Sequence, residues 1–244
     1  MKKLIQVGLV VCLFVSAMAG SVMAPTPALA QEPEQKTVTI IDDRGQQVEI
    51  PQPLERVCVF SRWNVEFVRA VGGWESVVCM DADSAKDGSY WPGFDQNNAA
   101  GTSQSPDYEK IVALNPQVVI MITSDPWAEA EAKLAPFGIK VVALNGWEMR
   151  GFAVRVATFG LMFDTRDRAQ EFIGFYQKYI DLVQERVKTV ENKKRVYYET
   201  APDYKTCLSG ERSVYHHMIE QAGGINVFGN VSVAEQPQAS PGGL

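Results

Sequence analysis

Five tryptophans are present, and four of them (Trp63, Trp91, Trp127 and Trp147) stand in short segments that follow runs of apolar residues. Those segments, residues 61–63, 81–91, 124–127 and 145–150, also carry Ser61, Arg62, Tyr90 and Arg150. Tryptophan offers a large apolar face with a single donor, which suits a bulky planar or chelate ligand. Arginine adds a fork of donors that pairs with negative charge. Taken singly, each tryptophan reads more readily as a packing residue; their concentration in these segments favours a binding cleft. Tyr198 and Tyr204 occupy the matching position after a later apolar run and complete the candidate ligand-binding set.

The parts of covalent chemistry are missing. The chain has no Gly-x-Ser-x-Gly elbow, no glycine loop shaped to cradle phosphate, and no visible pairing of a nucleophile with a histidine. Its two histidines, His216 and His217, are adjacent, so they do not share a helix face. They lack cysteine or carboxylate partners at ligand spacing, and His216 reads as a packing residue. No catalytic residue, metal ligand or cofactor is therefore assigned, and the chain reads as a binder, not an enzyme.

These loops need a scaffold, and the apolar periodicity supplies one. Residues 37–41 and 46–50 flank the turn Asp42-Asp43-Arg44-Gly45, which predicts a hairpin. Strands are predicted over 56–60, 76–80, 118–122 and 140–144, alternating with helices over 64–71, 108–114 and 127–135. Strands separated by helices form parallel βαβ units, and ligands bind outside the carboxyl ends of their strands. That makes 37–150 an N-terminal α/β lobe. Connecting helices fill 151–192: one over 151–163, then a long one over about 166–191, on which Phe172, Tyr176, Tyr179, Ile180, Val183, Val187 and Val190 recur at three and four residues. One face of that helix is expected to be buried along its length, over roughly 35–40 Å. A strand over 195–199 and a helix from Ser213 to Ala222 begin a second lobe, 193–244, in which no further strand is visible.

The first 30 residues have the composition of a cleavable signal peptide: Lys2-Lys3, an apolar stretch over 4–19, and Ala28-Leu29-Ala30 before the cut. Cys12 is preceded by Val11 and does not fit a lipid attachment site. Beyond the leader the net charge moves from −6 to about −8, which argues against nucleic acid or anionic membrane as partners. Three cysteines remain, Cys58, Cys79 and Cys207. Cys58 and Cys79 fall in neighbouring predicted strands and could pair; two buried free thiols are the favoured reading.

The stretch 37–50 with Asp42-Asp43-Arg44-Gly45, Pro51, Glu55-Arg56-Val57 and Ser61 resembles the opening of the metal-chelate class of ABC-importer solute-binding proteins. So do Asp107-Tyr108-Glu109-Lys110-Ile111-Val112-Ala113-Leu114-Asn115-Pro116, Phe137-Gly138-Ile139-Lys140-Val141-Val142, and the run from Ser213 to Ala222-Gly223-Gly224-Ile225-Asn226. The resemblance implies two α/β lobes with parallel sheets joined by one long helix, with the second lobe incomplete in this sequence. It also implies a periplasmic or extracytoplasmic location, a metal chelate as ligand (ferric siderophore foremost, with haem and cobalamin as alternatives), and an ABC permease as partner. Glu109 stands where that class places an acidic docking residue, and a monomer is expected. The competing readings are a non-functional truncated fragment of such a protein and a chelatase-like enzyme.

Overall fold

In a computed structural model the described residues are 36–198 and 213–230. The leader, Tyr204, Cys207 and residues 231–244 lie outside them. The chain opens with an antiparallel hairpin, β1 (Thr37–Ile41) and β2 (Gln47–Pro51). The Asp42 carboxylate closes its turn by accepting the backbone N–H groups of Arg44 and Gln46. Then follow β3 (Val57–Val59), α1 (Arg62–Ala70), β4 (Val77–Met80), a two-rung hairpin of β5 (Gly101–Thr102) and β6 (Ser105–Pro106), α2 (Tyr108–Leu114), β7 (Val118–Met121), α3 (Trp127–Leu134) and β8 (Lys140–Ala143). After these come α4 (Phe152–Met162), α5 (Arg166–Val187), β9 (Arg195–Val196), α6 (Val214–Gln221) and β10 (Ile225–Asn226).

Four strands make the central sheet in the order β4-β3-β7-β8, all parallel. Nearly every residue in them is buried, as expected of a sheet covered on both faces. Alternation divides the side chains between two layers. Val57, Val59, Val118, Ile120 and Val142 pack with the hairpin, α1 and α4, where Phe67, Phe152 and Phe159 dominate. Cys58, Phe60, Val119, Met121 and Val141 face α2 and α3 through Ile111, Ala130 and Leu134. Asp107 caps α2 by accepting the Lys110 N–H, and Ser213 caps α6 by accepting those of Tyr215 and His216.

Three expectations are corrected here. Cys58 and Cys79 are not free thiols but form a disulfide. They are register partners on adjacent strands, with Cα atoms 4.6 Å apart, so alternation places both side chains on the same face of the sheet. A further strand does follow α6: β10 pairs in parallel with β9, and two residues are too few to show a period in sequence. Finally, α5 ends at Val187, making it about 33 Å long, and its apolar stripe is wider than its contact with the rest of the chain. Phe172, Ile173 and Tyr176 pack on the core, whereas Tyr179, Val183 and Val190 are exposed.

Candidate functional site

The carboxyl ends of β3, β4, β7 and β8 open onto one set of loops, and a buried polar frame fixes them. Asn64, in the first turn of α1, has no exposed surface. Its Nδ2 donates to the carbonyls of Phe60 and Met121, and its Oδ1 accepts the Gly146 N–H at 3.0 Å, so one side chain ties three strand exits together. Gly146 is required there by close approach: a Cβ would lie 2.8 Å from Asn64 Oδ1 and 2.9 Å from the Trp63 carbonyl carbon. Asn145 Oδ1 accepts both the N–H and the hydroxyl of Thr123.

Two carboxylates continue the frame. Asp81 accepts the N–H of Ser61 through Oδ2, the N–H groups of Asp83 and Ser84 through Oδ1, and the Ser84 hydroxyl. Asp125 accepts the Ile122 N–H and the Gln104 amide. Burial pushes the Asp125 carboxyl up to about 6, reinforced by the charge of Asp81 and opposed by those two hydrogen bonds. Ser61 itself adopts a left-handed φ of 72°, rare outside glycine, as β3 turns into α1. Asn64, Asp81, Asp125 and Asn145 lie in or beside the loops marked out by sequence, yet of the small polar side chains just after an apolar run only Ser61 belongs to the candidate set. That placement is the signal that could have found them.

The residues singled out separate into groups. Trp63 is 44% exposed at the start of α1, with the Arg62 guanidinium 5.1 Å from its ring centre. Ser61 precedes them, buried, and Trp147 is half-buried beside the Gly146 contact. Trp91, in contrast, is only 3% exposed and stacks on Trp74 at 5.5 Å. Tyr90 is exposed, its hydroxyl donating to Glu66 at 2.8 Å. Arg69 stands over the rings of Trp74, Tyr90 and Trp91 and donates to the Tyr90 carbonyl, so this group anchors the long loop after β4. Trp127 donates its indole N–H to the Thr123 carbonyl and carries Arg44 at 4.6 Å over its ring. Arg44 also pairs with Asp42 and Glu131, which docks the opening hairpin onto α3.

Arg150 is bound bidentately by Glu148. Burial raises the Glu148 carboxyl, but the hydrogen bonds and charge of Arg150, with Arg155 behind it, outweigh burial and hold it below the usual carboxylate range. Arg150 borders a cavity of about 370 Å³ formed by residues 149–153, the Ile173, Tyr176, Ile180 and Gln184 face of α5, and His217 and Gln221 of α6. Tyr198 lies elsewhere, stacked on Tyr215 at 4.1 Å beside an apolar groove bounded by the end of α5 and by α6. Burial first, and the Tyr198 hydrogen bond second, push the Tyr215 hydroxyl up. Among the described residues no cluster of three or more His, Cys, Asp or Glu is placed to hold a metal ion. His216 Nδ1 instead meets the Asn226 amide.

A parallel α/β sheet with loops framed at its carboxyl edge, and a long helix leading from it to a second parallel βαβ piece around a cavity, has the layout of a ligand-binding protein. The chain belongs to the periplasmic binding protein family, whose sequence profile matches residues 59–240. No curated protein matches it in sequence. Among solved structures it is similar to a periplasmic solute binding protein from Veillonella parvula (19% identity, TM-score 0.62), covering 84% of this chain and 64% of that one. It is also similar to the periplasmic heme binding protein HutB of Vibrio cholerae (20% identity, TM-score 0.63, 76% and 70% covered). A third is the periplasmic vitamin B12 binding protein BtuF of Vibrio cholerae (16% identity, TM-score 0.60, 77% and 71% covered). At these identities the likeness is one of fold.

Proposed function

We propose that this protein is an extracytoplasmic solute-binding protein that captures a metal chelate, a ferric siderophore foremost, and hands it to an ABC importer. Family membership supports the general role, and two of its fold neighbours bind heme and vitamin B12, both metal chelates. The observation that carries the reading is the cavity bounded by residues 149–153, α5 and α6, with Arg150, Tyr176 and His217 on its wall. Aromatic and apolar surface beside the Glu148-paired Arg150 suits a chelate with a bulky organic shell. Trp63 and Arg62, exposed on the loop after β3, form a second contact area for such a ligand. Glu109, exposed in the first turn of α2, is the docking residue toward the permease in this reading. The leader directs export and is removed after Ala30.

Thermal melts with and without ferric siderophores, haem and cobalamin test the proposal. A ligand at about a hundred times its dissociation constant adds about 2.7 kcal/mol to the native state, a clear rise in the midpoint. The rise should shrink in Arg150→Ala. A cooperative melt that no chelate moves would sink the reading.

A further inference from the structure

The cavity bounded by residues 149–153, α5 and α6 has one permanent charge on its wall, and the chain itself cancels it. Among the described residues that line it, Arg150 alone is an arginine or lysine, and none is an aspartate or glutamate. Glu148 holds that guanidinium: Oε1 accepts Nε at 3.0 Å, Oε2 accepts Nη2, and Oε1 also accepts the Arg150 backbone N–H at 2.9 Å. The Glu148 side chain is 9% exposed against 46% for Arg150, so the carboxylate is hidden and the arginine reaches the surface of the cavity. Arg155, the next cation, is committed to Asp43 and to the carbonyls of Glu148 and Arg150. The rest of the polar wall is hydrogen-bonding chemistry. Gln184 and Gln221 present amides, His217 an imidazole and Tyr176 a hydroxyl, and among the described residues none of these side chains has a hydrogen-bond partner in the chain.

We infer that this cavity selects uncharged chelates over anionic ones, and that Glu148 sets the selectivity by cancelling the charge of Arg150. The inference rests on the reading of the cavity as the ligand site and narrows the class of ligand it takes. An anion drawn to Arg150 meets the Glu148 carboxylate beside it, so it gains little net attraction and still gives up its water. Pulling Arg150 away from Glu148 would strand a buried carboxylate. An uncharged chelate meets neither cost. Its carbonyl oxygens can accept from the Gln184 and Gln221 amides, and from the guanidinium N–H groups that Glu148 leaves free. Residue type alone suggests that Arg150 pairs with a negative ligand, but its countercharge stands two residues away in the chain.

The test uses one ferric hydroxamate core in two forms, the uncharged N-acetyl and the anionic N-succinyl derivatives of ferrioxamine B, with the anions ferric enterobactin and haem beside them. Quenching of tryptophan fluorescence in the full chain reads each affinity, at about pH 8, where histidine side chains are ordinarily neutral. The N-acetyl complex should bind about tenfold or more tighter than the N-succinyl one. Glu148→Gln keeps an oxygen for the Arg150 N–H and leaves the guanidinium charge unopposed. It should raise affinity for the N-succinyl complex about tenfold and move the N-acetyl complex by less than about threefold, and added salt should erase the gain. The E148Q/R150Q chain, with neither charge, should regain the preference for the uncharged complex. A wild type that takes an anionic probe as tightly as the uncharged one, or takes only anions, overturns the inference and leaves the binding function standing. So does a folded Glu148→Gln chain whose preference matches the wild type. A wild type that takes none of these probes sinks the inference, and the binding function falls with it only if the wider chelate panel also leaves the melt unmoved.

Discussion

Asp125 gives the sharpest test of the frame at the sheet's carboxyl edge. It is 5% exposed, its carboxyl is pushed up to about 6 by burial, and Asp81 adds like charge. An unfolded aspartate titrates near 3.8. Between those values the native state holds the extra proton, so stability falls as pH rises through the interval. The penalty is absent below about pH 4 and fully present above about pH 7. A displacement of roughly two units at 1.36 kcal/mol each sets a ceiling of about 3 kcal/mol. Asp125→Asn removes the titration and keeps an oxygen to accept the Ile122 N–H, while the Gln104 amide can turn to meet the new NH₂. Urea unfolding of both proteins at half-unit steps from about pH 4 to about pH 8 isolates the group, because other titrations cancel in the difference. Relative to wild type, the variant should gain 1 to 3 kcal/mol, by rough estimate, across that range, with a midpoint near pH 5. A difference that is flat, or that falls with rising pH, would refute the assignment of a buried, desolvated carboxyl.

The Cys58–Cys79 disulfide closes a loop of 21 residues, so reduction or the Cys58→Ala/Cys79→Ala pair should cost about 3 kcal/mol, seen as a lower melting midpoint insensitive to added reductant in the variant. Gly146→Ala drives a Cβ into the Trp63 backbone and should destabilise by about 1–3 kcal/mol in a denaturant titration. Arg44→Ala strands the fully buried Asp42 side chain and should cost about 3–5 kcal/mol, with Arg44→Lys recovering little because the fork and the Trp127 stack are lost.

The sequence by itself determined the succession of elements. Every strand of the central sheet and every helix was legible within a few residues, because apolar periodicity, the Ser213 cap, and Gly or Pro stops act locally. It also located the loops that meet at the sheet's carboxyl edge, since βαβ connectivity puts them there whatever their composition. Tertiary structure alone decided what the aromatic residues in those loops do. Trp91 and Trp127 carry the same chemistry as Trp63, but Trp74 and Arg69 enclose the first and Arg44 claims the second, partners 17, 22 and 83 residues away along the chain. Likewise the disulfide followed from register, and the raised Asp125 carboxyl from burial beside Asp81. Local pattern fixes which face a residue occupies on its own element. What covers that face depends on contacts between distant segments, and no periodicity encodes these.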